Sequence, residues 1–172
     1  MFDINIQFDE VEISSVENQD LSNVQNWFNR DGLGCIKTQN PLKFNDFYKR
    51  FIEYYASECE FFLKIQLKQK LIGIIKGRVE FKNTNEVWIT DFLIDSKNID
   101  EAVSKNILHK VISYFCNSYG INNFFTGVME EDIIAIEFWK CNGFEIHRIA
   151  KDFYNISGIK KDMFILRWNG NK

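Results

Sequence analysis

The stretch DIIAIEFWKCNGFEIHRIAKDFYNISGIKKDMFILRW (132–168) decides the fold. Its first part reads as a short helix, IIAIEFWKCN, with Asp132 in the N-cap position and Gly143 ready to end it. FEIHRIAKDFY and KDMFILRW then read as two closing strands, rich in β-branched and aromatic residues. A helix that hands over directly to strands belongs beside a sheet, in the α/β or α+β class.

The pattern continues upstream. INNFFTGVM (121–129) reads as a strand, and before it Val103, Ile107, Leu108, Val111, Ile112 and Phe115 form the apolar stripe of a long helix with Gly120 at its C-cap. VWITDFLID (87–95) is nearly continuous apolar sequence, the mark of a buried central strand. FFLKIQLK and LIGIIKGRVEF, joined at QK (69–70), form a predicted antiparallel hairpin, and KNTNE turns into the central strand. Two amphipathic helices come earlier. One carries Leu21, Val24 and Phe28 on a single face, with Asp20 as predicted N-cap and DGLG (31–34) as stop. The other follows Pro41 and sets Phe44, Phe47, Tyr48, Phe51, Ile52 and Tyr55 at three- and four-residue steps. FDEVEISSV (8–16) alternates as an opening strand.

With 172 residues, no repeat, no linker and a single proline, the chain is expected to be one domain over 1–172. A hydrophobic share of 45% with 26% charged residues excludes disordered and fibrous classes. Seventeen Phe require a core, pocket or interface to take up the ring surface. A net charge of −3 without a long basic run argues against nucleic-acid and anionic-membrane partners. Cys35, Cys59, Cys116 and Cys141 are scattered without a CxxC pair, which favours free thiols in a reducing compartment. MFDINIQFDEVEIS has neither the basic start nor the apolar run of a signal peptide, and no apolar stretch is of bilayer length. The expected location is cytoplasmic, and the expected state is a monomer or homodimer.

Four stretches in order carry a resemblance: ISSVENQDL (13–21), LIG (71–73), AIEFWKCNGF (135–144), and the closing strands with Asp162 ahead of the last one. Together they cover nearly the whole chain, which resembles the GNAT acyl-CoA-dependent N-acyltransferases. The resemblance implies a mixed, mostly antiparallel central sheet of about seven strands flanked by about four helices. Strands 87–95 and 121–129 would diverge there to make a slot, in which the pantetheine arm of acetyl-CoA pairs with the backbone of Phe92, Leu93 and Ile94. It also implies transfer of an acetyl group from acetyl-CoA, the co-substrate, to a primary amine by direct attack, with no metal. The acceptor would be a small-molecule or peptide amine.

The family's pyrophosphate signature, R/Q-x-x-G-x-G/A, falls here on Ile99, Asp100, Glu101, Ala102, Val103 and Ser104. Ala102 and Ser104 are small enough for close backbone approach, and the helix N-terminus favours an anion. The Arg or Gln is missing, however, and Asp100 and Glu101 bring negative charge, flanked by Lys97 and Lys105. Acids at a helix start are also ordinary capping chemistry. Trp139 stands where many relatives carry a Tyr that protonates the departing thiolate; an indole N–H donates a hydrogen bond but is no useful acid. It reads equally as a packing aromatic. Asp132 and Trp139 complete the implied cofactor-side set, and Tyr154, Tyr119 or solvent would supply the proton.

Asp91, in the apolar central strand, is the candidate base that takes a proton from the acceptor ammonium, with Glu86 second; the plain alternative is a paired structural acid. His109 is expected to be solvated on the polar side of the long helix, and His147 to lie at the surface or the acceptor site. Two separated histidines make no metal site. The competing functional reading is a catalytically weak or inactive GNAT-like protein used for ligand sensing or protein contact.

Overall fold

The computed structural model describes residues 2–31, 43–95, 99–156 and 158–170. The DGLG stop beyond Asp31, Cys35, Pro41 and Lys97 lie outside them. Among the described residues the elements run β1 (Asn5–Phe8), β2 (Val11–Ser15), α1 (Leu21–Asp31), α2 (Phe44–Ala56), β3 (Glu60–Leu67), β4 (Lys70–Glu80), β5 (Glu86–Ile94), α3 (Glu101–Tyr119), β6 (Asn123–Met129), α4 (Ile133–Cys141), β7 (Phe144–Ile156) and β8 (Ile159–Trp168). The strands form one mixed, mostly antiparallel sheet in the order β1-β2-β3-β4-β5-β6-β8-β7. The parallel ladder pairs Glu86–Ile89 of β5 with Asn123–Thr126 of β6.

The sheet has eight strands where the sequence reading counts about seven. The extra one is β1, which pairs with β2 across Asp9 and Glu10, with Phe8 opposite Val11. Asp9 adopts φ 49°, a left-handed conformation that Asp tolerates better than most residues, so the chain reverses inside what reads as one alternating strand. The expected β3–β4 hairpin forms, with its turn one residue earlier than read, at Lys68–Gln69. Lys68 and Gln69 take φ 50° and 65°, the two positive values of a type I′ turn, which matches the twist of paired strands.

Asp20 does not cap α1 in the expected way. A 3-10 turn over Asn18–Asp20 leads straight into the helix, with Glu17 as its N-cap. The Asp20 carboxylate reaches back to accept the Glu17 N–H at 2.9 Å and pairs with Lys64 Nζ at 2.7 Å. Gly143 does end α4, at φ 86°.

The described residues cluster into two compact units, Met1–Arg78 with Asp91–Val111, and Val79–Thr90 with Ile112–Lys172. The first unit packs Leu21, Val24 and Trp27 of α1 and Phe47 and Phe51 of α2 against Phe62 of β3 and Ile74 of β4. The α2 stripe is therefore split. Phe47 and Phe51 are core, whereas Phe44, Tyr48, Ile52 and Tyr55 are exposed. In the second unit Phe124 of β6 meets Phe115 edge-on at 6.4 Å and Trp168 at 5.5 Å. Cys59, Cys116 and Cys141 are free thiols. Among the described residues, no helix is long and apolar enough to cross a membrane.

Candidate active site

In the first unit the central strand carries four of the expected residues, Asp91, Phe92, Leu93 and Ile94. The Asp95 N–H donates to the Ile72 carbonyl at 2.8 Å. Gly73 lies against this strand, with Ile94 Cγ1 3.1 Å from where its Cβ would stand. Gly73 is needed there, because a Cβ would lie 2.5 Å from the Leu93 carbonyl oxygen. The backbone of Leu93 and Ile94, two residues expected to face the cofactor, is thus held tightly against β4. Phe92 and Leu93 are half-buried, Ile94 is buried, and Leu93 packs on the α1–α2 core.

Asp91 is half-buried, and a lysine that the sequence reading passed over stands beside it. Lys76 Nζ lies over three rings, 5.0 Å from Phe28 of α1, 5.5 Å from Tyr54 of α2 and 4.9 Å from Phe62 of β3. Burial pushes its ammonium below the ordinary lysine range; the Asp91 charge pulls the other way, and Arg50 adds to the depression. The missed signal was legible. Strand β4 buries Gly73, Ile75, Gly77 and Val79 on one face, and on the other Lys76 follows the buried Ile72 and Ile74. A lysine that follows two buried isoleucines on its own face starts its stem against the core.

The start of α3 belongs to the same unit. The Asp100 carbonyl accepts the first-turn N–H groups of Val103 (3.0 Å) and Ser104 (3.2 Å). Asp100, Glu101 and Ala102 are exposed, and Ile99, Val103 and Ser104 are half-buried. Both acids therefore sit in water at the positive end of the helix. Elsewhere in this unit a cavity of about 1000 Å³ opens among Asp3, Glu17, Tyr48, Ile52 and Tyr55. Neither Asp91 nor the first turn of α3 lines it.

The remaining candidates lie in the second unit. The Asp132 carboxylate accepts the Ala135 N–H at 3.0 Å and so caps α4. Trp139 is 6% exposed and packs edge-on against Phe144 at 4.8 Å, the packing role weighed for it above. Glu86 accepts from Lys82 Nζ at 3.2 Å and from the Trp88 indole at 3.3 Å. These partners tie Glu86 to a surface ion pair. Tyr154 is aimed by a bulge. Lys151, Asp152 and Phe153 together face the single Asp162, because Ala150 pairs with Met163 and Tyr154 with Lys161. The Asp162 carboxylate holds this bulge by accepting the Asp152 N–H and pairing with Lys151. The Tyr154 hydroxyl then donates to Met163 Sδ at 3.4 Å, beside Phe125, Ile165 and Trp88. Tyr119 is largely exposed, and His147 is exposed with its ring edge-on to Phe125.

His109 departs from expectation. It is half-buried, and its Nε2 is enclosed without a hydrogen-bond partner. Burial, and then the Lys105 charge, push its imidazole below the ordinary value. An unfolded chain titrates this group near ~6.5. Between that value and the lower folded one, the unfolded state binds more protons. Stability from a neutral His109 is therefore full above about pH 6.5 and declines as pH falls through that window. His109→Gln should flatten this acid-side slope in urea denaturation measured across pH; an unchanged slope would assign the loss to carboxylates instead.

A family model described as acetyltransferase (GNAT) domain matches residues 13–165. Among curated proteins no sequence matches. The solved structures with a similar fold include the ribosomal-protein-S5-alanine acetyltransferase from Vibrio fischeri, at 15% identity over 96% of each chain and a TM-score of 0.74. The spermidine N-acetyltransferase from Vibrio cholerae, solved with CoA and spermine, is 14% identical over 92% of this chain and 94% of its own, with a TM-score of 0.76. The acetyl transferase from Salmonella typhimurium that modifies the N-terminal serine of ribosomal protein L7/L12 is 10% identical over 93% and 95%, with a TM-score of 0.79. At such identities the likeness is one of fold. The family model, by contrast, spans most of the sequence, and the chain belongs to the GNAT acetyltransferase family.

Proposed function

We propose that this chain, as a single catalytic domain, transfers an acetyl group from acetyl-CoA to a primary amine, small-molecule or peptide, by direct attack on the thioester. The observation that carries the reading most is the β4–β5 pair. It presents the backbone of Phe92–Ile94 in the same unit as the first turn of α3 and Asp91. Backbone recognition of pantetheine does not depend on side-chain identity, so it tolerates the departures in the family's signature. In this reading Ile99–Ser104 take the diphosphate end, with Asp132 and Trp139 supporting the cofactor side through α4. Asp91 takes the proton from the acceptor ammonium, and Tyr154 returns one to the thiolate. The amine nitrogen bonds to the acyl carbon as the C–S bond breaks, so the products are an amide and CoA. The solved neighbours that act on spermidine and on protein N-termini support amines as the acceptor class. The free thiols favour a cytoplasmic location.

Isothermal calorimetry and melting curves with acetyl-CoA test binding, and turnover with an amine panel tests catalysis. Ligand at 100 times Kd adds about 2.7 kcal/mol of stability, a readily seen shift in Tm. No response at millimolar acetyl-CoA would remove the reading. A GNAT-like protein with weak or no catalysis is the second reading, favoured by the exposed Asp100 and Glu101 where a diphosphate would sit. The acids can be tested directly. Asp100→Asn with Glu101→Gln should tighten acetyl-CoA binding, and the gain should shrink with added salt. An unchanged Kd, with slightly lower helix stability, would mean that both acids serve the helix and not the ligand.

A further inference from the structure

The cavity of about 1000 Å³ in the first unit plays no part in acetyl transfer as proposed above, and its walls have a chemistry of their own. Its floor is apolar, made by the buried Val16 and Phe51. Along one side α2 presents Tyr48, Ile52 and Tyr55, all exposed and set at three- and four-residue steps on one helical face. Across from the apolar floor the lining turns acidic. Asp3 and Glu17 carry its formal charges, and among the described residues no Lys, Arg or His lines it. Glu17 is held in place, since its carboxylate accepts the Gln19 side-chain amide at 2.7 Å. Nearby donors that an anion would need are already taken. The Glu17 N–H goes to the Asp20 carboxylate, the Asp20 N–H to the Glu17 carbonyl, and the Ser15 hydroxyl to the Phe2 carbonyl.

We propose that this cavity is a binding site for an organic cation, an alkyl- or trialkylammonium with an apolar body, separate from the site of acetyl transfer. The charged end lies against the tyrosine rings, within reach of the two carboxylates, and the hydrocarbon part covers Phe51 and Ile52. Each contribution is modest alone. An exposed ion pair gains little, and a ring face attracts a cation most where water is displaced from it. A weakly hydrated ammonium with a hydrocarbon body meets both conditions in one cavity, whereas a small metal ion would give up its hydration for ring faces. The rings are positioned before any ligand arrives: Tyr48 stacks with Phe44 at 6.2 Å, and Tyr55 tilts against Phe51 at 5.7 Å. Neither Asp91 nor the first turn of α3 lines the cavity, so the proposal does not rest on the acetyl-CoA reading.

The test uses the full chain without acetyl-CoA and two probes of one shape, choline and 3,3-dimethyl-1-butanol, which puts carbon where choline has its charged nitrogen. Choline has no N–H to lose, so it cannot serve as an acetyl acceptor through nitrogen. It is expected to give saturable NMR shifts at Tyr48 and Tyr55, and its binding should weaken with added salt. The neutral alcohol should bind at least about fivefold more weakly, the factor that a cation on exposed aromatic faces supplies. Asp3→Asn with Glu17→Gln removes both charges and keeps an acceptor at the Glu17 position, and it should weaken choline while leaving the alcohol unchanged. Asp91→Asn should leave the choline Kd unchanged. No saturable response to millimolar choline would overturn the proposal, and so would equal affinity for the two probes. That comparison is made on the unaltered chain and stands even if the double variant fails to fold. A choline Kd that moves with Asp91 and not with Asp3 and Glu17 would also overturn it, by placing the cation at the transfer site instead.

Discussion

Asp91→Asn should keep acetyl-CoA binding while lowering turnover by about 10²–10⁴-fold near neutral pH, the usual weight of a positioned base. The amide side chain keeps the size and hydrogen-bonding reach of the carboxylate and removes its capacity to take a proton. An acceptor amine is mostly protonated at neutral pH, and only its neutral form attacks a thioester. The deficit should therefore narrow as pH approaches the acceptor's own pKa. Lys76 makes the competing interpretation concrete. If Asp91 is the structural counter-charge of that lysine, Asp91→Asn will turn over as fast as wild type at every pH. The loss will then appear in stability, and Lys76→Met should restore it. A pH-dependent kcat deficit with an unchanged melting temperature would exclude the structural role.

How far the sequence could be read follows from which contacts are local. The β3–β4 hairpin, the α4 cap at Asp132 and the stop at Gly143 depend on residues within a few positions of one another, and each was legible. The Asp9 reversal was not, because a left-handed Asp interrupts an alternation that otherwise reads as one strand. Asp20 was misplaced because the helix starts one turn earlier, with Glu17 as N-cap and Asp20 as the N3 carboxylate of a capping box that also pairs with Lys64. The same limit applies at the site. Asp91 and the α3 start stand out as residue types in an apolar strand and at a helix start. The Lys76 box takes its rings from α1, α2 and β3, so no window of sequence contains it. His109 is similar: its polar-side position says nothing of the neighbours that enclose Nε2.

Phe62→Ala should cost about 3–5 kcal/mol, among the largest effects available in the first unit. The ring is 1% exposed, meets Phe47 edge-on at 6.4 Å and Tyr54 at 5.9 Å, and forms one wall of the lysine box. Its removal loses the transfer free energy of the ring and leaves a cavity that the rigid strand β3, hydrogen-bonded on both sides, cannot collapse to fill. The cavity adjoins Lys76 Nζ, so water can enter it and solvate the ammonium. That sets up a coupling measurable by a double-mutant cycle. In the wild-type background Lys76→Met replaces a half-buried cation with an apolar chain of similar reach, which should be close to neutral or stabilising. In the Phe62→Ala background the lysine is already hydrated, and the same replacement should gain less. Urea denaturation of the four proteins gives both numbers. A Phe62→Ala cost below about 1 kcal/mol would place the ring outside the packed core. Strict additivity of the two changes would mean that Phe62 does not control the hydration of Lys76, and the depressed ammonium would then owe its environment to Phe28 and Tyr54 alone.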